Sequence, residues 1–150
     1  MRKSAGLIVT VAAAFFAFCS ISSAQKRPRP WIAPGTGVWM VTAKDEDGTD
    51  WSGRLHLSRA ANKGKMLGYR GYFYWVSGDR KTSGNEYFTG IFDRWSGKLR
   101  LNGYKVRNIR GELGTGDYEA SVRKGRTIRG GWAGDNAIPG KWSARRLGRL

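Results

Sequence analysis

The chain has 150 residues, 27 Lys and Arg against 11 Asp and Glu, and a formal net charge of +16, with one His, one Cys, 22 Gly and 7 Trp. One Cys excludes an intramolecular disulfide framework and any zinc site built on several thiolates, and one His excludes paired-His metal motifs. The length suits a single domain, and the mixing of charged with aromatic residues argues against a disordered chain.

Residues 1–24 read as a secretory signal peptide. Arg2 and Lys3 are followed by the apolar run from Ala5 to Phe18, and Ser22 and Ala24 supply small residues at the −3 and −1 positions of a cut after Ala24. As a helix that run would span about 21 Å, short of the roughly 30 Å of a bilayer core. A lipid anchor on Cys19 would want a small residue before it, and Phe18 stands there instead. Cleavage would leave a cysteine-free domain of the periplasm or the cell exterior, held by its core alone. Residues 25–37 carry Pro28, Pro30 and Pro34 with Lys26, Arg27 and Arg29, and read as an extended, flexible basic arm whose Trp31 and Ile32 can dock on the domain.

From 38 to 147 the chain alternates apolar and polar residues in short runs. Strands are expected at Val38–Ala43, Trp51–Ser58, Met66–Val76, Glu86–Arg94, Lys98–Val106, Gly116–Arg123, Arg126–Ala133 and Lys141–Leu147, with residues 148–150 as a tail. Turn signals fall at Asp47-Gly48, Ser96-Gly97 and Lys124-Gly125. Ser77-Gly78-Asp79 and Ser83-Gly84-Asn85 bracket a further loop. About eight strands joined by tight turns predict an all-β, antiparallel up-and-down meander, closed as a barrel or packed as a tight sandwich. Trp51-Ser52-Gly53-Arg54-Leu55-His56-Leu57 is echoed by Trp95-Ser96-Gly97-Lys98-Leu99-Arg100-Leu101, as two hairpin starts with one buried face each. On the third strand Leu67, Tyr69, Phe73 and Trp75 share one side. Met66, Arg70, Tyr72, Tyr74 and Val76 share the other, so the outer face is either covered or presents an aromatic patch.

Gly37-Val38-Trp39 at the first strand resembles the G-x-W of the calycins, the group of lipocalins and avidin-like proteins. That resemblance implies an eight-stranded barrel that binds small ligands in its mouth, with Trp39 closing the floor. It also implies that an Arg of the last strand, Arg145 or Arg146, lies across that Trp in a cation–π contact. Asp117-Tyr118 resembles a second lipocalin motif, with Gly116 where Thr is usual. The usual helix after the barrel has no room, since three residues follow Leu147.

No catalytic site emerges. A triad would need His56, which sits on a polar strand face beside Arg54. Glu86, Asp93, Glu112, Asp117 and Glu119 are the carboxylates available to a small secreted hydrolase, the alternative reading, but none lies in a glycosidase context. The acidic loop Asp45-Glu46-Asp47 with Asp50 places Gly48 wrongly for a calcium loop, and no phosphate-binding Gly-Lys-Ser/Thr loop occurs. No metal or cofactor is expected.

Charge is the leading functional signal. Arg54, Lys98, Arg100, Arg123 and Arg129 occupy polar strand positions, and Lys63, Lys65, Lys105, Arg107, Arg110, Arg145, Arg146 and Arg149 fill loops and ends. The expected partner is an anionic glycan, lipid or polymer of the cell envelope, held by Arg54, Arg70, Lys98 and Arg100 with Tyr72, Tyr74 and Trp75 as contact area. Aromatics interleaved with cations also suit single-stranded nucleic acid, but export counts against that partner. An internal pocket lined by Trp39, Phe73 and Trp132 is the version for a small apolar ligand, and a structural or protein-interaction module is a further alternative.

Overall fold

A computed structural model describes residues 29–134 and 137–147. The expected signal peptide, the first residues of the arm and the tail 148–150 lie outside the described residues.

Eight strands follow in chain order: β1 (Gly37–Asp45), β2 (Asp50–Arg59), β3 (Leu67–Ser77), β4 (Ser83–Asp93), β5 (Lys98–Arg110), β6 (Asp117–Arg123), β7 (Thr127–Gly134) and β8 (Ala137–Arg146). Each pairs antiparallel with the next, and β8 pairs back onto β1, so the sheet closes into an up-and-down barrel. No helix occurs among the described residues. Closure removes the edges that an open sheet would present.

The period-two alternation drives the arrangement. β6 is the plainest case, burying Tyr118, Ala120 and Val122 and exposing Asp117, Glu119, Ser121 and Arg123. β1 turns Trp39 and Val41 inward, and β2 turns Leu55 and Leu57 inward, with Leu55 directly opposite Trp39 in register. β3 supplies Tyr69, Phe73 and Trp75 to the same interior. Together with Phe88, Phe92, Leu99, Leu101 and Ile128 these form one core cluster that fills the floor and middle of the barrel.

Several boundaries differ from the sequence reading. Ser83-Gly84-Asn85 belongs to β4, because the preceding loop closes earlier: the Ser77 N–H donates to the Thr82 carbonyl at 2.9 Å. β8 begins at Ala137 and so contains Pro139. The proline is tolerated because the β7–β8 ladder skips it, passing from Trp132↔Gly140 to Gly134↔Ala137. β5 runs on to Arg110 with two register breaks against β4, which leave Tyr104 and Ile109 as extra, exposed residues. β6 pairs only with Lys98–Asn102 of β5, so the two strands diverge beyond that point, and residues 111–116 fill the gap.

The end of the barrel near the N-terminal arm is closed. From Trp31 onward the arm is tied down rather than free. The Trp31 N–H donates to the Arg94 carbonyl at 2.6 Å. The Trp31 ring lies against Gly97, where an added Cβ would meet it at 2.7 Å and where φ is +72°. Trp39 donates its indole N–H to the Gly35 carbonyl at 3.1 Å, and Tyr69 its hydroxyl to the Pro34 carbonyl at 2.8 Å. Arg146, not Arg145, lies at this floor, but it donates to the Thr36 carbonyl at 2.8 Å instead of stacking on Trp39. The expected cation–π contact is replaced by that of Arg59 over the Tyr69 ring, at 4.5 Å.

Candidate ligand pocket

The opposite end of the barrel is hollow, with a cavity of about 190 Å³. β1 contributes Ala43 and Asp45, β2 Trp51, β3 Trp75, β4 Glu86, β6 Tyr118, β7 Trp132, and β8 Ala137 and Ile138. Glu112, Leu113, Gly114 and Gly116 come from the segment between β5 and β6. The hollow has a sequence cause. On β4 the inward positions run Phe88, Glu86, Gly84, so large apolar side chains stop at Phe88. On β5 the inward position beyond Leu101 is Gly103, whose missing side chain makes room for the Glu86 carboxylate. The divergence of β5 from β6 then leaves this end unfilled.

Glu86 is 1% exposed. One carboxylate oxygen accepts the Gly116 N–H at 2.6 Å, and the other accepts the Trp75 indole N–H at 3.2 Å and the Tyr118 hydroxyl in a short contact. Burial raises its pKa above the usual carboxylate value, against the lowering effect of Tyr118, Gly116 and Trp75. Tyr118 is in turn pushed well above an ordinary phenol, first by burial and then by the Glu86 charge. Asp45 is also raised, chiefly by burial, with Trp51 opposing and Asp47 adding to the shift. The Trp51 N–H is buried and makes no hydrogen bond of normal geometry. Trp132 is held by its N–H to the Ile138 carbonyl at 2.8 Å. The result is a small chamber of three indoles and a phenol with three carboxylates, and among the described residues no Lys or Arg lines it.

The structure redistributes the residues singled out from sequence. Of Trp39, Phe73 and Trp132, only Trp132 lines the cavity. Trp39 and Phe73 have no exposed surface because they fill the floor and the middle of the barrel. Phe73 packs edge-on to Trp142 at 5.5 Å and tilted to Tyr118 at 4.8 Å. Trp75 is an inward residue that lines the cavity, so it does not belong to an outer contact surface with Tyr72 and Tyr74. Of the five carboxylates named above, Glu86 and Glu112 reach the cavity. Asp93 instead caps the β4–β5 turn, accepting the Trp95 N–H at 2.8 Å, which with Ser96 lowers its pKa. Asp117 accepts from Asn102, and Glu119 pairs with Lys98 and Arg100 on the outside.

The outer face of β2–β5 answers the question left by the third strand. His56, Tyr72, Tyr87 and Lys105 stand opposite one another on four successive strands. His56 stacks on Tyr72 at 4.3 Å, Tyr72 meets Tyr87 at 5.7 Å, and the Lys105 ammonium lies 6.0 Å over Tyr87. Arg54, Tyr74, Asn85 and Arg107 form the next row. Burial, and then Arg54, lower the His56 pKa. Lys98 and Arg100 lie apart from these rows, on the stretch of β5 that pairs with β6, each within 3.4 Å of Glu119. Arg70 is on the same outer face as Tyr72, on β3.

Among the charged and aromatic residues of the cavity, Trp51, Asp45 and Tyr118 are those that sequence reasoning does not assign to a site. A usable signal exists at Glu86: an acidic residue at the inward parity of a strand, between Gly84 and Phe88.

No protein-family model matches this chain, and no curated protein does. Solved structures do. A redesigned β-barrel, mFAP1, bound to DFHBI aligns with TM-score 0.55 and 14% identity, over 74% of this chain and 94% of that one. EF1p2_mFAP2b bound to DFHBI gives TM-score 0.52 and 15% identity, over 75% and 93%. A de novo designed fluorescence-activating β-barrel gives 0.50 and 14%, over 75% and 94%. At these identities the likeness concerns the fold alone, a closed antiparallel β-barrel.

Proposed function

We propose that this chain is a non-catalytic binding protein, exported to the periplasm or the cell exterior, which takes a small molecule into the open end of its barrel. The observation that carries this reading is the asymmetry of the interior, packed solid from Trp39 to Phe73 and hollow between Trp75 and Trp132. A cavity of about 150 Å³ is enough to hold benzene, whereas drug-sized ligands occupy roughly 300–1,000 Å³. The chamber therefore suits a ligand of about one ring or a short branched chain. Two of the structural neighbours are described as bound to DFHBI, which is in keeping with a barrel of this kind holding a small molecule. Glu86 serves the site as a fixture: both its oxygens already accept protein donors, and it ties β4 to β6 across the cavity.

Quenching of tryptophan fluorescence by ring-sized probes tests the reading. The wild type is expected to bind at least one of a small set of neutral and charged probes, and Ala43→Leu, which fills the chamber, is expected to abolish that binding. Probes that bind the filled variant equally well would overturn it.

A second reading rests on a different observation, the aromatic and cationic rows on the outside of β2–β5. We propose that these rows, with Arg54, Arg70, Lys105 and Arg107, hold an anionic glycan, lipid or polymer of the envelope. Stacked rings beside charge of a single sign offer both flat contact area and electrostatic attraction.

A further inference from the structure

The charge inside the chamber is opposite to the charge of the chain. A protein with net +16 would be expected to present cations at any opening, yet the chamber is lined by Asp45, Glu86 and Glu112, and the β1–β2 loop beside it adds Glu46 and Asp47. Trp51, Trp75, Trp132 and Tyr118 line the same chamber as these carboxylates. Aromatic walls with carboxylates nearby are the surroundings in which an alkylated ammonium is most stable. The ring quadrupoles attract the cation, the carboxylates supply its counter-charge, and the methyl groups tolerate loss of water. A metal ion is not suited to the same chamber. The described acidic residues do not converge into a metal-holding group, and both Glu86 oxygens are already taken by Gly116, Trp75 and Tyr118.

We infer that the small molecule taken by this barrel is an organic cation, an alkylated ammonium of about choline size, held between Trp51, Trp75 and Trp132 with Asp45 and Glu112 as counter-charges. The inference rests on the pocket reading above and narrows it to one ligand class. It also gives the basic exterior a consequence: the outer surface repels such a ligand, so its binding is confined to the chamber.

The test compares three probes of the same shape on the full domain, by isothermal titration: choline, its uncharged carbon isostere dimethylbutanol, and the anion dimethylbutanoate. Choline is expected to bind at least about tenfold more tightly than the alcohol, and Glu112→Gln and Asp45→Asn are each expected to weaken choline about five- to tenfold while leaving the alcohol unchanged. Glu112 is solvent-exposed, so its replacement leaves folding intact. Equal or tighter binding of the alcohol or the anion overturns the cation assignment while the pocket reading survives. If no probe of the three binds, the cation assignment falls, and quenching by ring-sized probes in wild type against Ala43→Leu then decides the pocket reading separately.

Discussion

At the scale of single residues, Glu86 and Tyr118 govern the hollow end of the barrel. A carboxylate with almost no exposed surface is costly unless donors surround it, and here three do. Tyr118→Phe removes one of them without emptying the site. It is expected to lower the unfolding free energy by about 1–3 kcal/mol in urea titrations. The raised Glu86 pKa fixes the sign of a second effect. The folded state holds this proton more tightly than the unfolded chain, so the contribution of Glu86 to stability is greatest below its ordinary value of 4.5 and declines as pH rises through the raised one. The stability advantage of wild type over Glu86→Gln is therefore expected to shrink with rising pH across that window; an advantage that grows with pH would contradict this account. The inward position of Glu86 is legible in the alternation of β4. Its partners are not, because Gly116 and Tyr118 lie 30 and 32 positions away and meet it only when the barrel closes.

At the scale of elements, the strands are readable because each has one wet and one dry face. Their ends are not, because the ends are decided by partners. Pro139 argues against strand structure on β8, and a break in the β7–β8 ladder removes the objection. β5 outlasts its expected end because β4 continues to pair with it past two bulges. The G-x-W motif carries real information: Trp39 closes the floor, and the arm closes over it. Sequence narrows the Arg at the floor to one of two, and the structure gives Arg146 a hydrogen bond to the arm in place of a ring contact. Tyr69→Phe tests how much that closure matters. The Tyr69 hydroxyl is buried against the Pro34 carbonyl, and its pKa is pushed up to about 12 by burial, so the bond persists through the ordinary pH range. Its removal leaves a buried carbonyl without a donor and is expected to cost about 1–2 kcal/mol by urea unfolding, without change in ligand binding at the far end. A loss of ligand binding in this variant would show that the two ends are coupled.

At the scale of the whole molecule, two kinds of surface are segregated. The outside carries most of the cations, some on rows of stacked rings, and the chamber carries carboxylates. Composition reveals the net charge but conceals this segregation, since the cavity's acids are scattered over β1, β4 and the β5–β6 connection. Reversing charge on the outer rows, as Arg107→Glu with Lys105→Glu, is expected to weaken binding of a sulfated polysaccharide about tenfold or more at low salt and to flatten its salt dependence. Ligand binding in the chamber should be unaffected; an unchanged salt slope would count against the outer rows as the polyanion surface. The seven Trp residues report on the position of a ligand from separate places: Trp39 at the floor, Trp31 and Trp95 on the outside, Trp142 in the packed core, and Trp51, Trp75 and Trp132 around the chamber. The most direct measurement is an NMR titration of the indole N–H signals with a bound small probe. Shifts of Trp51, Trp75 and Trp132 with Trp39 and Trp95 unmoved are the expected result; shifts led by Trp39, Trp31 or Trp95 would place the ligand elsewhere and contradict it.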